Sequence, residues 1–186
     1  DLDEIPVYIG HSMGGGAESY LQDRMREDKV SMVLRLGGAF RIRIEMDTPL
    51  GRITANTDDP ELLVQLLTPI GKRRIIYSCA VGDLDLAALP AWILRLAEDA
   101  GLEVLFNDYL PLSPSYTLLD EDGVFRGVPT PDHDDPTHRY RRLDGSVMTL
   151  ADWRAAWERV IEAADRITVF SQSSAKIVTE AYPQAA

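Results

Sequence analysis

Gly10-His11-Ser12-Met13-Gly14 places a serine between two glycines, directly behind the apolar run of residues 5–9. The pattern G-x-S-x-G is that of a nucleophile elbow, in which a strained strand-to-helix turn exposes a serine hydroxyl. That chemistry needs an acid and then a histidine later in the chain. It also needs an oxyanion-hole strand upstream, where only nine residues precede Gly10, and the later histidines, His133 and His138, fall in a loop. An α/β-hydrolase-like esterase acting through Ser12 therefore rests on the pentapeptide alone. Gly14, Gly15 and Gly16 allow a second reading of the same stretch. Glycines let a backbone come close to a ligand, and a helix starting behind them offers free N–H groups and partial positive charge to a phosphate. The dinucleotide fingerprint G-x-G-x-x-G is not cleanly present and no acid is well placed after the next strand, which argues against a nicotinamide cofactor. A tight turn without a ligand is the third reading.

Other reactive residues are more ordinary. His133, Asp134, Asp135 and His138 have the types of metal ligands but lie in a turn-rich stretch, where a solvated polar loop is expected and no metal. That stretch lacks cysteine, which excludes a thiolate zinc site. The run His138-Arg139-Tyr140-Arg141-Arg142 has the composition to meet phosphates or an anionic membrane face; pairing with nearby aspartates, or plain solvation, is the expected state. Trp153 and Trp157 stand four apart and share a helix face, as core residues do. The single cysteine, Cys79, follows an apolar run and reads as a small core residue; without a partner it forms no internal disulfide, which fits a cytoplasmic setting.

These groups have to be positioned by strands and helices in alternation. Apolar runs at 5–9, 30–36, 74–78, 102–106 and 166–170 read as strands, with helices over 17–27, 84–100, 149–164 and 171–181, and another starting at Pro60. Gly101 is expected to close the helix over 84–100. Residues 40–46 (FRIRIEM) alternate apolar and charged, and Gly51-Arg52-Ile53-Thr54 has the look of a return arm, so an antiparallel excursion is expected around 40–54. Residues 110–143, rich in proline, read as a long irregular loop. The expectation is a single α/β, Rossmann-like domain over 1–186, with a mostly parallel sheet and helices on both faces.

Tyr8-Ile9-Gly10-His11-Ser12-Met13-Gly14-Gly15-Gly16-Ala17-Glu18 resembles the opening of group 1 (family 4) retaining glycosyltransferases, a strand followed by S-x-x-x-GGG-x-E. Phe106-Asn107-Asp108-Tyr109-Leu110-Pro111-Leu112-Ser113-Pro114 is similar to the segment HDYYPICP of bacterial members. Leu118-Leu119-Asp120, Asp122-Gly123, Trp153-Arg154, Ala164-Asp165-Arg166-Ile167, Ser171-Gln172-Ser173 and Ala181-Tyr182-Pro183 continue the likeness in order along nearly the whole chain. The resemblance implies the N-terminal, acceptor-side half of a GT-B enzyme. The partners it implies are a nucleotide-sugar donor, a glycan or lipid-linked acceptor, and a C-terminal donor-binding domain expected to be absent here, leaving this half inactive alone. It further implies no cofactor. By the same likeness Gly14, Gly15 and Gly16 lie near donor phosphates and acceptor, with Tyr109 and Ser171 also binding substrate. Asn107 stands where histidine is frequent, so a base role there is in doubt, and Asp108 becomes the better candidate to position an acceptor hydroxyl; an Asx turn is its alternative role. A Rossmann-like module retained for assembly only is the remaining alternative.

The charge balance, 19 basic against 30 acidic residues and a net charge of −11, disfavours nucleic acid as a partner. No apolar run is long enough for a bilayer, since 84–96 is interrupted by Asp85, Pro90 and Arg95; peripheral membrane association is the most that is expected.

Overall fold

In the computed structural model, which describes residues 4–11, 13–132 and 135–185, strands and helices alternate along the chain. In order they are β1 (Ile5–His11), α1 (Gly16–Glu27), β2 (Ser31–Leu36), β3 (Ile42–Thr48), β4 (Gly51–Thr57), α2 (Pro60–Leu67), β5 (Arg73–Tyr77), α3 (Leu89–Leu96), β6 (Gly101–Phe106), β7 (Tyr140–Arg141), β8 (Val147–Met148), α4 (Leu150–Ala163), β9 (Arg166–Val169) and α5 (Gln172–Ala181). Seven strands form one sheet in the order β4-β3-β2-β1-β5-β6-β9. The five from β2 to β9 are parallel, and β3 and β4 add an antiparallel ribbon to the β2 edge. The ribbon is the excursion expected around 40–54, starting two residues later and ending at Thr57.

Both faces of the central strands are buried, which is why β1, β2, β5 and β6 are near-continuous apolar runs. Val7, Ile9, Leu34, Ile75, Tyr77, Val104 and Phe106 point to one face, where α2, α3, α4 and α5 supply Leu63, Ile93, Trp157 and Val178. Tyr8, Val33, Ile76 and Leu105 point to the other, where α1 covers them with Leu21 and Met25. Trp153 and Trp157 are core residues, 1% and 0% exposed.

Local signals set most helix starts. Asp59 caps α2 by accepting from Glu61 N at 2.9 Å, with Pro60 in the first turn, where its missing N–H costs nothing. Thr149 caps α4 by accepting from Asp152 N at 3.1 Å, and donates its hydroxyl to that aspartate at 2.8 Å. The helix expected over 84–100 is shorter. Asp85 accepts from Ala88 N and holds 85–88 as a turn, so α3 begins at Leu89 with Pro90 in its first turn. Gly101 opens β6 and does not close the helix; Asp99, at φ 56°, makes the left-handed step.

The long connection from β6 to α4 is irregular, as expected; among the described residues its regular pieces are an isolated bridge between Leu119 and Phe125, a 3-10 turn at Pro136–His138 and the β7–β8 ribbon. Neighbouring elements hold it by its main chain. Trp153 Nε1 donates to Leu110 O at 2.8 Å, Tyr182 Oη to Pro111 O, and Arg154 to the carbonyls of Leu112 and Pro129. Arg154 is buried and its pKa is lowered by desolvation, which favours losing the proton, while the Tyr182 ring 5.7 Å away partly compensates.

Among the described residues no helix is long and apolar enough to cross a membrane.

Candidate functional site

The order of the parallel strands reverses between β1 and β5: the chain steps from β1 to β2 on one side and from β5 to β6 on the other. The diverging loops leave a crevice outside the carboxyl ends of the strands, where open α/β sheets take ligands. One wall is the loop of Gly14, Gly15 and Gly16 after β1; the other is built from Ser78, Cys79, Asn107 and Asp108 after β5 and β6.

The glycine loop ends in a helix start left open. Gly15 is the N-cap of α1 and provides no side-chain acceptor, so among the described residues no side chain caps the positive end of the helix. Gly15 holds φ 95° and ψ −167°, a region essentially reserved for glycine. A Cβ at Gly14, Gly15 or Gly16 would meet nothing within 4 Å, so the space in front of this backbone is free. Glu18, in the first turn, would repel an anion if left alone. Arg35 on β2 binds it with two nitrogens, one at 2.7 Å, and also holds Glu45 of β3 at 2.9 Å and His11 O at 3.2 Å. Burial acts to raise the Glu18 pKa, but hydrogen bonds from Arg35 and Gln22 outweigh it and hold the carboxyl below its ordinary value.

Across the crevice, Asn107 donates its amide to Ser78 O at 3.2 Å and to Ser78 Oγ at 2.9 Å. Its Oδ1 has no partner among the described residues and stays available to a hydroxyl. Asp108 uses both oxygens: Oδ1 accepts from Leu110 N at 2.8 Å, the Asx turn weighed as its alternative role, and Oδ2 accepts from Cys79 Sγ at 2.8 Å. Desolvation of that carboxyl raises its pKa against the opposing pull of the Cys79 thiol, the Leu110 N–H and the nearby His11. Burial, and then the Asp108 charge, push the Cys79 thiol well up, so it is a donor and not a nucleophile. Ile9 O of β1 accepts from Ser78 N at 2.9 Å and Cys79 N at 3.3 Å, which ties this wall to the strand carrying the glycine loop.

Tyr109 and Ser171 both reach Ser174 at the start of α5. The Tyr109 hydroxyl lies 3.1 Å from Ser174 Oγ, and Ser171 Oγ bonds Ser174 Oγ at 3.0 Å and caps the helix through Ser174 N. The capping role of Ser171 is the one its position after an apolar run announces. Ser12, His133 and Asp134 lie outside the described residues. His138 is buried with Nδ1 2.7 Å from Ser113 Oγ, and Asp135 Oδ1 caps the turn at Thr137, so these two serve the long connection. Among the described residues no three histidines, cysteines or acids group closely enough to hold a metal ion. His11, Arg35, Ser78 and Cys79 join the site without having been singled out for it; the signal for Ser78 and Cys79 was their place just past an apolar strand at the sheet's carboxyl edge.

No protein-family profile, curated protein or solved structure matches this chain.

Proposed function

We propose that the chain is the acceptor-side half of a GT-B glycosyltransferase, moving a sugar from a nucleotide-sugar donor to a glycan or lipid-linked acceptor. The observation that carries this reading is the open, glycine-lined start of α1 at the switch point between β1 and β5, facing the polar strand end of Asn107 and Asp108. The open helix end offers N–H groups and partial positive charge to a diphosphate. Asn107 Oδ1 is left to accept from a sugar hydroxyl. Asp108, with both oxygens engaged, orients the strand end and the acceptor and does not act as a free base. Catalysis in such a crevice is positioning plus electrostatic stabilisation of the departing diphosphate. A second domain, holding most of the donor, would close over this crevice.

The test is ligand-observed NMR of the chain with a panel of nucleotide sugars and glycan acceptors. Binding lost on Gly16→Val or Asn107→Ala is the expected result. Two outcomes would overturn it: no binding to any member of the panel, or hydrolysis of short-chain p-nitrophenyl esters that Ser12→Ala abolishes.

A further inference from the structure

The two edges of the sheet differ. β9 is four residues long, whereas β4 runs seven residues in unbroken register with β3, from Thr48 opposite Gly51 to Ile42 opposite Thr57. Exposed edges are usually blunted by proline, charged side chains, a bulge or a covering loop. The sequence of β4, GRITANT, contains no proline, its ladder has no bulge, its first six residues are all exposed, and its one charge, Arg52, is paired with Asp47 of β3.

Hairpin geometry fixes which groups face outward. Pro49 and Leu50 form a two-residue turn, so Thr48 and Gly51 are a hydrogen-bonded pair and the alternation continues along the ribbon. The N–H and C=O groups of Gly51, Ile53, Ala55 and Thr57 turn toward β3, and those of Arg52, Thr54 and Asn56 turn away from the sheet. Ile53 and Ala55 stand opposite Met46 and Ile44, both packed on the core face that α2 covers. Ile53 is 61% exposed. Leu62 and Leu66, one turn apart on α2, are 41% and 57% exposed. They are the exposed large apolar residues of α2. The free strand edge therefore carries one large exposed apolar side chain, Ile53.

We propose that this edge pairs with β4 of a second copy of the chain, antiparallel about a two-fold axis through Thr54. The occupant is assigned by the strand's self-complementarity. In the register that uses all seven residues, Ile53 faces Ala55 of the other copy and Ala55 faces its Ile53, large against small. Thr54 meets Thr54, a favourable cross-strand pair. Arg52 meets Asn56, so no like charges are opposed, and Arg52 is already neutralised by Asp47 at 2.6 Å. The outward groups of Arg52, Thr54 and Asn56 then bond to those of Asn56, Thr54 and Arg52, and the two sheets become one. A two-fold contact of this kind closes on itself and does not propagate into fibres. It lies at one end of the sheet and leaves the crevice between β1 and β5 open.

The experiment is analytical ultracentrifugation of the chain over a concentration series at low and high salt. A reversible dimer is expected, tightening as salt screens the −11 charge of each copy. Amide exchange at Arg52, Thr54 and Asn56 should slow as the dimer fills, with no change at Ile53 and Ala55. Thr54→Pro removes one outward N–H and leaves the bonds to β3 in place, and Ile53→Lys charges the seam. Each should weaken the dimer about tenfold or more with the circular dichroism spectrum unchanged. A monomer at every concentration and salt overturns the proposal, as does a dimer whose affinity survives both substitutions. Should Thr54→Pro unfold the chain, Ile53→Lys and the exchange pattern decide the matter alone.

Discussion

Gly15 and Gly16 are neighbours in one loop, yet alanine should act on them in opposite directions. Gly15 sits at φ 95° and ψ −167°, where a side chain costs about 1–3 kcal/mol whatever room is available. The room is ample, with nothing within 4 Å of the added Cβ, so strain is the whole cost and no clash adds to it. Gly16 is the first residue of α1, has no positive φ and also meets nothing within 4 Å. Alanine there reduces the freedom of the unfolded chain and gains up to about 0.5–1 kcal/mol. The two variants should therefore differ by about 1.5–4 kcal/mol, a gap of roughly 3–15 °C in Tm for a chain this size. Urea unfolding followed by tryptophan fluorescence measures the gap directly, because Trp153 and Trp157 are in the core. Equal stabilities for the two variants would refute the conformational argument. Binding separates the pair again. If phosphate approaches this backbone, Gly16→Ala should lose nucleotide-sugar affinity while keeping full stability, which a loop serving only as a turn would not do.

The remaining predictions concern the frame around the crevice. A Cβ on Gly37 would meet Gly82 O at 2.8 Å, whereas one on Gly82 would come no nearer than 3.8 Å. Both have positive φ, so Gly37→Ala should be the more destabilising by about 1–3 kcal/mol, read from urea midpoints. Arg154→Met leaves the carbonyls of Leu112 and Pro129 without their donor and should cost about 3 kcal/mol in the same assay. Asp108 has a folded pKa above its unfolded one, so its contribution to stability is complete below the ordinary aspartate value and is lost as pH rises through the raised value. Asp108→Asn, which can still accept from Leu110 N, should gain on the wild type as pH is raised across that window. A stability difference independent of pH would contradict the desolvation of this carboxyl.

Much of this was legible from the sequence because the signals were local. Short two-sided apolar runs gave the parallel strands, and Asp59-Pro60, Thr149 with Asp152, and Ser171 gave helix starts through bonds spanning two or three residues. The reading of α3 failed because Leu84, Leu86 and Ala87 continue a helical stripe, while a side-chain bond from Asp85 makes them a turn. Gly101 misled as a helix terminator because the left-handed residue is Asp99, of a type less often found there. The Asx turn of Asp108 involves a residue two positions on and was anticipated; its bond to Cys79 spans 29 positions and was not. Nor does local pattern reveal that Arg35 holds Glu18 and Glu45 together, since both partners come from other elements. Arg154 did leave a trace, as a cation set between Trp153 and Trp157 on the apolar face of a helix.

The connection between β6 and α4 is gripped through its carbonyls, by Trp153, Arg154 and Tyr182, and every amino acid carries a carbonyl. Substitution at Leu110, Leu112 or Pro129 leaves the acceptor in place, whereas loss of any of the three donors releases the strand of chain it clasps. The clasps therefore fix the path of this segment whatever its side chains, while Leu110 and Leu112, themselves in the core, are constrained separately by packing, so that losing a clasp and losing a core side chain should damage the connection independently.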